Sequence, residues 1–128
     1  MADIYWINKQ ALIFLHSETI RLHGGLNGIR DQGLLDSALT RPLNVNAYEN
    51  ETNIFRLAAV YGIGIAKNHA FLDGNKRTAF LAIGLFLRLN GFTLVASPKD
   101  ATAIMLKVAN SEITESELTI WIANNVNT

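Results

Sequence analysis

Two strongly apolar segments, residues 54–68 and 76–89, restrict what this chain can fold into. Within each segment, apolar side chains recur every three or four positions, which is the period of an α-helix. The second segment is apolar on almost every side, a pattern typical of a helix that is buried all round. The sequence therefore predicts two core helices, the second of them central, joined by the polar stretch 69–75.

Helix start signals stand at four further places, where a capping residue precedes an apolar pattern: Asn8, Asp31, Ser97 and Thr114. Ser97 is followed by a proline and then by an acidic residue, and Thr114 begins a capping box. The first of these helices ends at Gly24. The second is expected to stop before Pro42, because the residue that precedes a proline avoids helical backbone angles.

The segments between these helices carry no helical face. We expect a loop at 26–30, a polar exposed loop or flap at 44–53, a short extended stretch at 92–96 and a frayed tail at 124–128. Together the patterns predict one all-α domain, residues 1–128, with about six helices around a central buried helix.

Composition narrows the classes of function. The chain has no cysteine, which excludes disulfides, thiolate zinc sites and cysteine nucleophiles. The N-terminus lacks the basic start and apolar run of a signal peptide. No apolar run reaches the roughly 18 residues that cross a membrane. We therefore predict a cytoplasmic protein with no membrane partner.

Charge argues against direct binding of nucleic acid. The 11 basic and 11 acidic residues cancel, whereas proteins that bind a polyanion usually carry a clear positive excess. Residues 52–98, however, contain five basic residues and a single acidic one. A locally positive centre in a neutral protein indicates a small anion as the ligand.

The densest polar cluster, HAFLDGNKR at residues 69–77, falls where the second core helix begins. A helix N-terminus offers unpaired N–H groups and the positive end of the helix dipole, so it binds phosphate readily. Gly74 lets the backbone approach a ligand closely, and Asn75 can cap the helix or donate to a phosphate oxygen. Lys76 and Arg77 add full positive charges, of which arginine is the better bidentate ligand.

Asp73 and His69 add the groups of a transfer reaction. A carboxylate beside bound phosphate suits Mg²⁺, which prefers one or two carboxylates together with phosphate oxygens. His69 is the one side chain in this stretch that exchanges a proton near neutral pH, so it suits a general base. Taken singly, each residue also fits a turn, a helix cap or a solvated surface. Their convergence beside one helix start favours an anion site and leaves an enzyme and a silent binding module as alternatives.

The string HAFLDGNKR resembles the active-site motif of the Fic/Doc superfamily, H-x-F-x-[DE]-[GA]-N-[GK]-R. The segment HGGLNGIRDQGLLDSAL also resembles the Doc (death-on-curing) toxin branch, and the resemblance extends over about residues 22–90. It implies a fold of mainly six helices with the motif in the loop that opens the central helix. It further implies a toxin that modifies a protein hydroxyl with ATP and Mg²⁺.

The resemblance also implies a role for each motif residue. His69 would take the proton of the target hydroxyl, and Asp73 would hold Mg²⁺. Gly74 and Asn75 would cradle phosphate. Arg77 would bind the phosphates and stabilise the charge that develops during transfer. The side chains of His16 and His23 lie outside the motif and are assigned structural roles only.

Lys76 separates two activities within the family. Members that transfer AMP typically carry glycine at this position, whereas Doc carries lysine and transfers the γ-phosphoryl group to a threonine of elongation factor Tu. The resemblance therefore implies a protein kinase that blocks translation, with AMP transfer and a catalytically silent protein-binding module as alternatives. Many Fic proteins restrain their own activity with an inhibitory helix of the pattern [ST]-x-x-x-E-[GN]. This pattern is absent from the sequence. We thus expect restraint by a Phd-type antitoxin that binds an apolar groove near the site.

Overall fold

Six helices and two short strands follow one another in this computed structural model, which describes residues 3–127. They are α1 (Lys9–His23), α2 (Gln32–Glu49), α3 (Ile54–Asn68), α4 (Asn75–Leu89), β1 (Thr93–Leu94), α5 (Pro98–Ala109), α6 (Glu115–Ala123) and β2 (Val126–Asn127). The predicted all-α class with about six helices is confirmed. None of the helices in this range is long and apolar enough to cross a membrane.

The two apolar segments form the centre of the fold, as predicted. Helix α3 has the predicted bounds, and α4 begins one residue before the predicted start. Helix α4 is buried in the core beside α3, which packs against α2, α4, α5 and α6 and buries more of its residues. Gly62 allows close contact of α3 with α4: a β-carbon there would lie 2.5 Å from Cδ1 of Ile83.

Helix α2 continues through Pro42 to Glu49, so the predicted stop before Pro42 is wrong, and the predicted loop at 44–53 is wrong for 44–49 and confirmed for 50–53. A proline inside a helix removes one backbone hydrogen bond, at a local cost of about 3 kcal/mol. The predicted stop rests on local effects of this kind alone. Tertiary packing outweighs this cost, because Leu35, Ala38, Pro42 and Val45 share one buried face. Only after Glu49 does the chain turn, with Asn50 in the left-handed region.

The four predicted capping residues are confirmed. Asn8, Asp31, Ser97 and Thr114 each precede a helix and accept a hydrogen bond from a backbone N–H in its first turn. The capping box of Thr114 and Glu117 is complete in both directions. Such caps satisfy N–H groups that have no partner within the helix, which is why short-range sequence signals locate helix starts well.

The C-terminal tail is ordered by pairing, so the predicted frayed tail is wrong for residues 124–127; Thr128 lies outside the described range. Thr93 and Leu94 pair antiparallel with Asn127 and Val126. The N–H of Val95 extends this pairing by donating to the carbonyl of Asn125 at 2.6 Å. The predicted extended stretch at 92–96 is therefore the partner that holds the tail.

Candidate active site

The polar stretch between α3 and α4 begins with His69 in an unusual backbone conformation. His69 ends α3 in the left-handed region, with φ of 51° and ψ of 45°, and its side chain is exposed. Few residues other than glycine adopt this conformation, and histidine is one of those that do so more often. Arg30 stabilises this end of α3: its Nε donates to the carbonyl of His69 at 2.7 Å and its Nη2 to that of Asn68 at 3.2 Å.

A second loop, residues 24–31, supports the polar stretch along its length. Ile29 and Phe71 form an antiparallel bridge, and the N–H of Leu72 donates to the carbonyl of Gly28 at 3.0 Å. The N–H groups of Arg30 and Asp31 both donate to the carbonyl of Ala70. Phe71 itself is fully buried. The predicted loop at 26–30 is therefore the scaffold of the predicted site, a contact that sequence analysis did not identify.

Asn75 is buried and holds the loop closed. Its Oδ1 accepts from the N–H of Phe71 and its Nδ2 donates to the carbonyl of Phe71, both at 3.0 Å. The prediction that Asn75 caps α4 is wrong, because Asn75 is the first residue of the helix and Gly74 occupies the capping position without a side chain. The side-chain amide of Asn75 thus joins the two ends of the turn 71–75 and fixes the point at which α4 starts.

Gly74 is required at the start of α4. Its φ is 77°, a value that side-chain-bearing residues rarely adopt. An added β-carbon would also lie 3.3 Å from Cδ1 of Ile20 and 3.4 Å from Cγ2 of Thr19, both on α1. The first hydrogen bond of the helix runs from the N–H of Thr78 to the carbonyl of Gly74. The N–H groups of residues 75–77 therefore precede the helical ladder, as an anion site needs.

Asp73 has one carboxylate oxygen engaged and one free. Its Oδ2 accepts from the N–H of Leu26 at 2.7 Å, while Oδ1 makes no hydrogen bond to any residue between 3 and 127. No group of three or more potential metal ligands exists in that range. A single carboxylate with one free oxygen fits Mg²⁺ that obtains its remaining ligands from phosphate and water. It does not fit a metal held by protein side chains alone.

Lys76 and Arg77 keep their charges unpaired. Both side chains are exposed in the first turn of α4, and neither forms an ion pair within the part of the chain that the structure describes. No carboxylate compensates the two positive charges, which add to the positive end of the α4 dipole. The predicted basic group is thus assembled and available to an anion.

A groove of about 680 Å³ runs from this helix start between α1, α4 and α5. Gly74, Asn75, Lys76 and Arg77 line one end, whereas His69 and Asp73 lie outside it. Its walls are mainly apolar and include Leu15, Leu22, Phe80, Leu81, Met105 and Leu106. The spacing of Leu15 and Leu22 on α1 predicts that both face the core, yet they line this groove, and Leu22 is largely exposed.

His16 is the residue that sequence analysis missed in this site. It was assigned a structural role, and it is buried on α1, yet its Nε2 lies 2.7 Å from the carbonyl oxygen of Asp73. Its ring stacks on Phe71 with centroids 3.8 Å apart and planes 8° from parallel. A histidine in the buried stripe of an amphipathic helix was the available signal, because a buried polar side chain needs a partner.

Comparisons with known proteins agree in the region of this site. A family model described as the Fic/DOC family matches residues 6–87. The chain is 38% identical over 112 residues to the protein kinase doc of Escherichia phage P1, an alignment that covers 88% of each protein. It is 44% identical over 77 residues to the toxin Doc of Mycolicibacterium smegmatis, with 57% of each covered. The region matched by the family model contains the whole polar stretch and most of α4.

Proposed function

The chain belongs to the Fic/DOC family, and on this premise we propose that it is a toxin with protein kinase activity. It transfers the γ-phosphoryl group of ATP to a serine or threonine hydroxyl of a host protein. The names of its two relatives, a protein kinase and a toxin, support this activity. The observation that carries it is the unpaired start of α4, where Gly74, Lys76 and Arg77 leave amides and charges available to phosphate.

Phosphate binding rests on two kinds of donor. The N–H groups at the start of α4 donate to phosphate oxygens, and the positive φ of Gly74 keeps a side chain out of their way. Arg77 binds the phosphates through its guanidinium and stabilises the charge that develops in transfer. Asn75 acts mainly through its hold on Phe71, since that hydrogen-bond pair fixes where these amides point.

Asp73 would hold Mg²⁺ through its free Oδ1, while the N–H of Leu26 keeps the carboxylate in place. The ion supplies charge neutralisation at the phosphate oxygens when it is bound. Because the hydrogen bond from Leu26 fixes Oδ2, the loop 24–31 also sets the direction in which Oδ1 points. That loop therefore contributes to the position of the metal ligand as well as to that of His69.

His69 acts as the general base. It accepts the proton of the target hydroxyl as that oxygen forms a bond to the γ-phosphorus. The bond between this phosphorus and the β–γ bridging oxygen breaks, and ADP leaves with the electron pair. The proton remains on the imidazole until solvent removes it. The exposure of His69 suits this role, because the target hydroxyl belongs to another protein and must reach it.

Lys76 favours phosphoryl transfer over AMP transfer. It lies in the first turn of α4, on the same groove wall as Gly74 and Arg77, where its charged side chain occupies space next to the phosphates. AMP transfer would use the same His69 and Asp73 and is the second candidate. The two activities differ in the group that the target gains, so the mass of the product separates them.

Incubation with ATP, Mg²⁺ and a bacterial lysate, or with purified elongation factor Tu, tests the proposal. We expect one protein to gain a single phosphoryl group on a serine or threonine, and elongation factor Tu is the target we propose. His69→Asn is the matched control, because asparagine tolerates left-handed backbone but does not act as a base at neutral pH. A gain of AMP would select the second candidate. No gain that depends on His69 would favour the silent module.

A toxin of this kind acts in the cytoplasm and needs a partner that restrains it, and we propose a Phd-type antitoxin in the apolar groove. The groove has apolar walls and the charges of Lys76 and Arg77 at one end. An amphipathic helix with an acidic residue near that end would match both features. A segment bound there would also lie against the start of α4 and hinder phosphate binding.

Co-expression tests this partner. Leu106 is half-exposed in the groove, so Leu106→Glu should abolish neutralisation by the antitoxin and leave the toxin active. Leu89→Glu is the matched control, since Leu89 is similarly exposed but lies outside the groove. Equal neutralisation of both variants would show that the antitoxin binds elsewhere.

A further inference from the structure

We propose that His16 is a positioning residue for phosphoryl transfer. It fixes the peptide between Asp73 and Gly74, so that the Asp73 carboxylate and the first amides of α4 face the same bound nucleotide phosphate. The inference rests on the proposed function and concerns the geometry of its site. His16 does not itself touch the reacting atoms.

The contact defines both the tautomer and the direction of the hydrogen bond. A carbonyl oxygen only accepts, so Nε2 of His16 carries the proton and donates to the carbonyl of Asp73 at 2.7 Å. The side chain of His16 is about 1% exposed, so water does not replace this donor. The Asp73 carbonyl lies directly before Gly74, whose φ of 77° turns the chain into α4. The hydrogen bond therefore acts at the peptide that orients both phosphate-binding and metal-binding groups.

The same ring also supports the other end of the turn. It stacks on Phe71, with centroids 3.8 Å apart, and Asn75 binds the backbone of Phe71 on both sides. His16 thus contacts the first and third residues of the turn 71–75, and Asn75 closes it. Within the described residues, the carboxylate of Asp73 accepts a hydrogen bond only from the N–H of Leu26. Removal of the His16 donor leaves the carbonyl of Asp73 without its buried partner.

A histidine that merely fills space in the core would show a different dependence on substitution. His16→Phe keeps an aromatic ring for stacking on Phe71 but has no donor for Asp73. His16→Gln retains a donor at about the right reach and loses the stacking. If the hydrogen bond positions the site, the glutamine variant recovers function that the phenylalanine variant lacks. If only packing matters, the order of the two variants is reversed.

The experiment measures binding of ATP with Mg²⁺ by calorimetry, and the KM for Mg²⁺–ATP and the kcat of phosphoryl transfer, in the full chain. We expect His16→Phe to weaken Mg²⁺–ATP binding and raise its KM about 10- to 100-fold, with partial rescue in His16→Gln. Leu12→Val, on the same buried face of α1 one turn earlier, should lower stability but keeps the His16 donor, so ATP affinity, KM and kcat should stay unchanged. Unchanged ATP affinity in a folded His16→Phe variant would overturn the inference.

Nitrogen NMR of the unaltered chain provides a readout that does not depend on a variant folding. The ring of His16 should show a proton on Nε2, and that proton should be protected from exchange with solvent. The opposite tautomer would exclude the hydrogen bond to Asp73 and overturn the inference on its own. If the unaltered chain fails to bind ATP, the proposed function is overturned and this inference with it. If it binds ATP normally and His16→Phe does so equally well, only the role of His16 is lost.

Discussion

Charged side chains surround both ends of α3, and the two groups differ in how they are paired. At the first turn, Arg56 contacts Glu49, Glu51 and Glu115 at distances between 2.9 and 3.2 Å. Arg41 adds a second contact to Glu115 at 2.8 Å. The hydrogen bonds that the Arg56 guanidinium donates to Glu49 and Glu51 raise the pKa of Arg56 well above its ordinary value. We refer to these five residues as the ion cluster.

At the other end of α3, the charges are left free. Lys76 and Arg77 form no ion pair between residues 3 and 127, and Asp73 has only the N–H of Leu26 on its carboxylate. The side chains that hydrogen-bond to backbone carbonyls there belong to the scaffold: His16, Arg30 and Asn75. These three side chains fix the backbone of the loop, so that the side chains of Asp73, Lys76 and Arg77 stay available to a ligand.

From this difference we expect one group of side chains to stabilise the fold and the other to bind a ligand. A charge paired within the fold contributes to stability and is unavailable to a ligand. Two unpaired positive charges in the positive first turn of a helix repel each other and gain nothing until an anion binds. The ion cluster is therefore expected to affect stability, and residues 69–77 to affect activity, with little overlap between the two.

The largest expected effect is the loss of the base. His69→Asn should lower the rate of phosphoryl transfer about 10²- to 10⁴-fold, since that is the usual contribution of a positioned general base. Asparagine keeps the left-handed backbone at the end of α3, so the melting temperature and ATP affinity should stay close to those of the unaltered chain. Rates come from product mass over time. A variant that retains more than about a tenth of the rate would remove His69 from this role.

Next in size is the loss of a free cation. Arg77→Ala should weaken ATP binding by about 1.5–3 kcal/mol, the usual value of a hydrogen bond to a charged group, without a loss of stability. Arg88→Ala is the matched control, because Arg88 is an exposed arginine in the last turn of the same helix. Calorimetric titration with ATP measures both. Equal weakening in the two variants would indicate a general charge effect.

The reverse pattern is expected in the ion cluster. Arg56→Met should lower the free energy of unfolding by about 1–2 kcal/mol, because three carboxylates lose a partly buried partner. ATP affinity well below the melting temperature should not change. Lys67→Met, an exposed lysine on α3 without an ion pair in the described residues, should alter stability by less than about 0.5 kcal/mol. Urea unfolding measures both, and a loss of ATP affinity in Arg56→Met would contradict the separation of the two ends.

The smallest effect is a pH dependence of stability that belongs to the ion cluster. The hydrogen bond from Arg56 holds the pKa of Glu51 below 4.5, with further help from backbone N–H groups. Above pH 4.5 this carboxylate is ionised in both folded and unfolded chains, and its contribution is fully present. As the pH falls through the lowered pKa, the unfolded chain binds the proton first and the contribution is lost.

Glu51→Gln isolates this contribution. The variant should be less stable than the unaltered chain by about 0.5–1 kcal/mol near neutral pH. The gap should narrow as the pH falls from 4.5, and it should close below the lowered pKa of the folded chain, where the carboxyl group is protonated in both states. Urea midpoints at several pH values measure it. A gap that persists well below pH 4.5 would show that Glu51 acts through shape and not through charge.

Sequence patterns located the elements that depend on neighbours in the chain. The bounds of α3, the four capping residues and the polar stretch 69–77 were all predicted from spacings of three or four residues. Helical periodicity and capping act over one turn, so a short window contains the information that they need. The candidate phosphate-binding and metal-binding residues lie in one such window.

Contacts between distant segments decided the rest. Helix α2 continues past Pro42 because its buried face packs against α3, and pairing with β1 orders the tail that the local sequence predicts to be frayed. Asn75 binds Phe71 instead of capping α4, and His16 reaches Asp73 across 57 positions of the chain. Each outcome depends on which surfaces meet after the chain has collapsed, and periodicity within a window does not encode that. The sequence by itself determined which residues are candidates for the chemistry, and the tertiary structure determined what holds them in place.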